Sequence, residues 1–164
     1  MAQGSFSFEI QTPEELLATL KEDFAELQAN PKSSRYAIHC AFLGWHLHEW
    51  VWGKKFKSDW AARKRAFTPV PREKDEFVAA VRNECSDLEI MQGVAEGSKH
   101  LGTTAAVAGT VDDLHNAMPG RAMFGQMMLG SAGVLGVQMS DGKVVGFLPA
   151  VQRVVAYWEK IVSA

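Results

Sequence analysis

One segment, from about Ser33 to Trp52, constrains the fold of this chain more than any other. At about 100° per residue, a helix over this range carries apolar side chains on two nearly opposite sides. One side holds Tyr36, Cys40, Leu43, Leu47 and Trp50, and the other holds Ile38, Phe42, Trp45 and Trp52. A third strip consists of the small residues Ala37, Ala41 and Gly44, which allow a neighbouring helix to approach closely. Because a helix that is apolar on two sides is usually buried, we expect this one to be central.

Capping signals predict the other helices in the first hundred residues. Thr12 is a potential N-cap, Pro13 suits the first helical position, and Glu15 completes a capping box. Further helices are expected over about 58–66, from Pro71 onwards, and from Ser86 to about His100.

The last third of the chain predicts a small antiparallel sheet and a closing helix. Asp141-Gly142 is a signal for a two-residue hairpin, which places Met139 opposite Val144. Both faces of this hairpin are largely apolar, so we expect a third strand and a covering layer of helices. We therefore predict one α+β domain with four or five bundled helices (12–102), a small sheet and loop (103–148) and a helix from Pro149 (149–164). The expected core includes Leu43, Trp45, Leu47, Val94, Val155 and Trp158.

Composition narrows the class of protein. The 164 residues are 47% hydrophobic and 22% charged, which is typical of a globular domain and excludes a disordered chain. Two cysteines are too few for a disulfide framework, and the N-terminus lacks a signal-peptide pattern. Residues 122–140 carry no charge, but their glycines and glutamines argue against a membrane span. We expect a cytoplasmic protein with no membrane contact.

Positive charge is concentrated in residues 54–72, the basic segment, which holds seven bases and one acid in a chain of net charge -2. Aromatic residues interleave with these cations, and this arrangement suits phosphate contact and base stacking. The candidate contact residues are Lys54, Lys55, Lys57, Trp60, Arg63, Lys64, Arg65 and Arg72. The leading hypothesis is an interaction protein that binds a nucleic acid or an acidic protein. The alternatives are a solvated charged face, or pairing with the acidic first helix of the same chain or of a second copy in a homo-oligomer.

A second candidate site combines two histidines and two carboxylates. His46 and Glu49 are three residues apart, and Glu96 and His100 are four apart, so each pair shares one face of its helix. If the two helices are antiparallel neighbours, the four side chains would suit Zn, Fe or Mn, and the chain would be a metal-dependent enzyme. The ordinary alternative is an ion pair together with a buried, hydrogen-bonded histidine. The spacing matches no established metalloenzyme motif.

Three further segments carry a resemblance. They are His46-Leu47-His48-Glu49-Trp50, Lys99-His100, and the Asp141-Gly142 hairpin followed by Val154-Val155-Ala156-Tyr157-Trp158-Glu159. Together they resemble a class of small uncharacterised bacterial and prophage proteins, and this resemblance implies no particular activity. A weaker similarity to the HEPN superfamily of helical bundles implies a ribonuclease toxin, whose catalytic pattern is Arg-x4–6-His. Only three residues separate Arg35 from His39 here, so that pattern is absent.

Overall fold

The structure is a computed structural model, and it describes residues 10–99, 106–110, 135–139 and 141–164. The helices are α1 (Pro13–Ala29), α2 (Ser34–Val51), α3 (Trp60–Ala66), α4 (Lys74–Glu84), α5 (Asp87–Lys99) and α6 (Phe147–Ser163). A π-helical turn (Trp52–Phe56) continues α2. The strands are β1 (Ala106–Thr110), β2 (Leu135–Met139) and β3 (Val144–Gly146). The predicted α+β class with dominant helices and a closing helix is confirmed.

The capping box at the start of α1 forms as predicted. The Thr12 hydroxyl accepts a hydrogen bond of 3.2 Å from the backbone nitrogen of Glu15, and the Glu15 carboxylate accepts one of 3.0 Å from the backbone nitrogen of Thr12. Two of the free N–H groups at the helix start are thereby satisfied. α1 buries Leu16, Leu20 and Leu27, and it packs against α2 and α6.

α2 is the central helix, and it packs against α1, α5 and α6. Its small-residue strip lies where other helices come near. A Cβ atom built at Gly44 would lie 3.2 Å from Val154 Cγ1 on α6 and 3.4 Å from Met91 Cγ on α5. The Gly44 carbonyl also accepts a hydrogen bond of 2.8 Å from the indole nitrogen of Trp158 on α6. A larger residue at position 44 would therefore push α5 or α6 away from α2.

The expected core residues are buried to different degrees. Trp45, Leu47, Val155 and Trp158 belong to the buried core, and Trp158 and Leu47 are fully buried. Leu43 and Val94 are partly buried and pack against that core.

The sheet is antiparallel with the order β1-β2-β3, so the expected third strand is present. The predicted hairpin register is wrong by one residue, because Val144 pairs with Gln138 rather than with Met139. The backbone nitrogen of Met139 instead donates to the carbonyl of Lys143 at 2.8 Å. The connection therefore has three residues, and Gly142 has the positive φ of 81° that such a loop needs at its last position.

Two helices start at positions other than those predicted. α4 begins at Lys74 rather than at Pro71, because the carbonyls of Pro71 and Arg72 accept hydrogen bonds from the Arg63 side chain instead of starting a helix. α6 begins at Phe147, so Pro149 lies in its first turn, where the missing N–H has no helical partner to lose. Among the helices in the described ranges, none has the length and apolar character needed to cross a membrane.

Candidate nucleic-acid interface

The basic segment begins in the π-helical turn that continues α2. The backbone nitrogen of Lys57 donates to the carbonyl of Trp52 at 2.8 Å, and this five-residue spacing is that of a π-helix. The turn places Phe56 in the interior, where it is fully buried with its ring centroid 5.5 Å from that of Phe67. The two ends of the basic segment are thus anchored by aromatic packing, and its exposed residues lie on a fixed backbone.

α3 presents an aromatic ring to solvent. Asp59 caps this helix by accepting a hydrogen bond of 2.8 Å from the backbone nitrogen of Ala62. Trp60 follows the cap and is 50% exposed, and within the described residues no other large hydrophobic side chain is exposed. Lys64 lies four residues later and therefore on the same face of α3. A cation and an exposed indole thus share one surface.

Arg63 was predicted as a contact residue, but the structure places it in the interior. Its side chain is only 8% exposed, and its Nη1 atom donates to the carbonyls of Pro71 at 3.1 Å and Arg72 at 2.8 Å. Its guanidinium carbon lies 5.3 Å from the Trp52 ring centroid and 4.9 Å from that of Trp60. Its Nε atom has no hydrogen-bond partner among the described residues. The Arg63 guanidinium therefore packs against the Trp60 ring. Its hydrogen bonds to the two carbonyls make Nη1 unavailable to a phosphate.

The remaining cations of the basic segment fall into two groups. Lys55 is partly buried, and its Nζ atom donates to the carbonyl of Val162 on α6 at 2.6 Å. The other five are exposed, and in the described part of the chain their side chains form no ion pair or hydrogen bond. These are Lys54, Lys57, Lys64, Arg65 and Arg72. Five cations are therefore free to meet an external anion.

A groove of about 730 Å³ opens beside Trp60. Its lining consists of Trp60, of residues 67–72, which we call the floor, and of residues on α4, which we call the α4 wall. The floor includes the cis peptide bond between Thr68 and Pro69. The α4 wall combines small apolar and polar side chains, namely Glu76, Ala79, Ala80, Asn83 and Glu84. The groove thus joins an exposed aromatic ring to groups that can form hydrogen bonds.

Three of the four side chains proposed as metal ligands lie within the described residues, and each of these has another partner. Glu49 accepts a hydrogen bond of 2.7 Å from Lys74 Nζ, and this bond holds the pKa of the Glu49 carboxyl below its usual range. Glu96 accepts one of 2.7 Å from Gln92 Nε2. Across the described ranges, no three His, Cys, Asp or Glu side chains come together as a metal site. His46 lies on α2 with its ring stacked on Phe42, and His100 lies outside the described residues.

Neither cysteine is suited to nucleophilic catalysis. Cys40 on α2 is fully buried, and burial raises the pKa of its thiol to about 12. Cys85 follows α4 and is also buried, which raises the pKa of its thiol above the usual value. Because the thiolate is the reactive form, both cysteines act as small core residues.

Comparisons with family models, with curated protein sequences and with solved structures find no match to this chain. The site therefore rests on its own geometry. The sequence predicted the cations and Trp60 as contact residues, but it did not indicate the α4 wall of the groove. The pair of prolines in 67–72 is the signal that could have indicated an extended floor beside α3.

Proposed function

We propose that this chain is a binding protein for single-stranded nucleic acid, with the basic segment as its contact surface. The observation that carries the proposal is the half-exposed Trp60 ring, which lies on the buried guanidinium of Arg63 and beside unpaired cations. A ring that is already held in place loses little conformational entropy when a base stacks on it. Single strands expose their bases for such stacking, whereas a duplex keeps them paired.

The five free cations supply the sequence-independent part of binding. Each phosphate that they neutralise releases a counterion from the strand, so affinity falls as salt rises. Lys64 shares the exposed face of α3 with Trp60, which places a phosphate contact near the stacked base. The sequence resemblance implies a bacterial or phage origin, and we propose a cytoplasmic location and a binding role for the protein.

An acidic protein is the competing partner for the same surface. The exposed carboxylates of α1, Glu22 and Glu26, would let a second copy of this chain serve in that role. Binding to an acidic helix requires no exposed aromatic ring, so Trp60 favours the nucleic acid.

The test is fluorescence anisotropy of a labelled single-stranded oligonucleotide, titrated at several salt concentrations. For the wild type we expect a log–log salt slope of about -3.5, from five contacts at about -0.7 each. A quadruple variant with Ser at four of the five free cations should lose most of this affinity. The substitutions are Lys54→Ser, Lys57→Ser, Lys64→Ser and Arg65→Ser, and they spare Lys55 and Arg63 because both are tied into the fold.

The matched control removes the same charge from other exposed sites. Its substitutions are Lys32→Ser, Arg35→Ser, Lys143→Ser and Lys160→Ser. We expect the control to bind nearly as well as the wild type. Equal losses in both variants, or no binding by the wild type at low salt, would contradict the proposal. Salt-dependent dimerisation without nucleic-acid binding would instead support pairing with α1 of a second copy.

A further inference from the structure

We propose that the groove beside Trp60 holds one nucleobase and that Glu84 selects a base bearing an exocyclic amino group. This inference rests on the proposed function and adds a base preference to it. An electrostatic surface alone would bind any polyanion, whereas a groove with a directed acceptor discriminates among bases.

The groove is large enough to hold a base. Its volume of about 730 Å³ falls within the range of about 300–1,000 Å³ that is usual for small-ligand pockets. The Trp60 indole lines one side, and the small side chains of Ala79 and Ala80 line the α4 side. The groove thus offers an aromatic ring on which a planar base can stack and small side chains beside it.

The charges of the groove differ from one side to the other. Lys64 lies on the α3 face that carries Trp60, and Arg72 lies on the floor. Glu76 and Glu84 lie on the α4 side. Because the side chains of Lys64 and Arg72 attract phosphates and the α4 carboxylates repel them, we expect the backbone of a bound strand to lie nearer to α3 and a base edge nearer to α4.

Glu84 is held in position by the hydroxyl group of a tyrosine on α6. Tyr157 on α6 is 9% exposed, and its hydroxyl donates to Glu84 Oε2 at 3.2 Å. Burial and the nearby Glu84 charge raise the pKa of Tyr157, so the hydroxyl keeps its proton and remains a donor. The other carboxylate oxygen, Oε1, has no hydrogen-bond partner among the described residues. It remains available to accept a hydrogen bond from a ligand.

A carboxylate acceptor separates cytosine from uracil. The exocyclic amino group of cytosine donates to a carboxylate, whereas uracil presents a carbonyl oxygen at that position. Two acceptors facing each other form no hydrogen bond and leave both groups unsatisfied. Glu76 also lines the groove, and its Oε2 atom accepts from the backbone nitrogen of Arg72 at 2.6 Å.

The test compares three oligonucleotides of equal length and charge: oligodeoxycytidylate, oligodeoxyuridylate and an abasic strand. The wild type should bind the cytosine strand about tenfold more tightly than the uracil strand, the equivalent of about 1.4 kcal/mol. It should bind the abasic strand least tightly. Glu84→Gln should bring the cytosine and uracil strands close to equal affinity, because an amide can donate as well as accept. Tyr157→Phe removes only the positioning hydroxyl and should reduce the same preference while leaving affinity for the abasic strand unchanged.

The outcomes separate this inference from the proposed function. Salt-dependent binding of all three strands with equal affinity would overturn the base groove and leave the proposed function standing. If the wild type bound none of the three strands, the proposed function itself would be overturned. A cytosine preference that persists in Glu84→Gln would overturn the role of Glu84.

Discussion

Replacement of Trp158 is the sharpest test of the packing of α6 on α2. This side chain is fully buried, and its indole nitrogen donates to the carbonyl of Gly44 at 2.8 Å. Trp158→Ala should lower the free energy of unfolding by about 3–5 kcal/mol, because the cost of the cavity adds to the lost transfer free energy of the buried indole. Trp158→Phe keeps most of the ring. It should cost about 1 kcal/mol for the hydrogen bond and about 1 kcal/mol for the lost apolar contact.

Urea unfolding followed by circular dichroism measures both costs, and equal m-values would show that the comparison is valid. Trp60→Ala is the matched control, since that indole is 50% exposed and its main contact is the Arg63 guanidinium. The control should cost about 1 kcal/mol or less. If Trp158→Ala cost no more than Trp60→Ala, the argument for a buried α2–α6 contact would be refuted. If Trp158→Ala fails to fold, Trp158→Phe still provides the measurement.

Two further predictions concern α2. Gly44→Val should lower the free energy of unfolding by about 1–3 kcal/mol, because the added side chain overpacks against Val154. Gly53→Val is the control, since nothing lies within 4 Å of a Cβ atom at that position. It should change the free energy of unfolding by less than about 0.5 kcal/mol in the same urea assay. His48 is buried and lies near Glu49 and Lys74. Burial is the main cause that lowers the pKa of its imidazole in the folded protein. The imidazole therefore binds a proton more readily in the unfolded state than in the folded state. The contribution of neutral His48 to the free energy of unfolding should therefore be fully present above about pH 6.5 and decrease as the pH falls below that value. His48→Gln should flatten this part of the stability–pH profile. An unchanged profile would contradict the conclusion that burial lowers the pKa of His48.

The sequence predicted those elements whose signals are local. The capping box of Thr12 and Glu15 involves residues three apart, and its chemistry is complete within one turn. The hairpin register was wrong because a glycine at positive φ serves both a two-residue and a three-residue loop. Only the pairing of Gln138 with Val144 decides between them, and that pairing depends on the whole sheet.

The candidate site likewise combines features that local sequence predicts with features that depend on distant contacts. The charge and aromatic content of the basic segment were visible in the sequence, and the exposure of Trp60 agrees with them. The burial of Arg63 was not visible, because a long side chain becomes a core residue only when distant carbonyls accept its hydrogen bonds. Those carbonyls belong to Pro71 and Arg72, on a segment that the sequence assigned to the start of a helix.

The π-helical turn makes the binding surface sensitive to chain length rather than to residue identity. A π-helical turn already holds one residue more than an α-helical turn, and insertion of one further residue would rotate everything after it by about 100°. An insertion beside Gly53 would thus turn Phe56 out of its aromatic cluster and carry Trp60 with it, although exchange of Gly53 meets open space. The helical rotation between Trp52 and Phe56 therefore determines the direction in which the Trp60 ring faces.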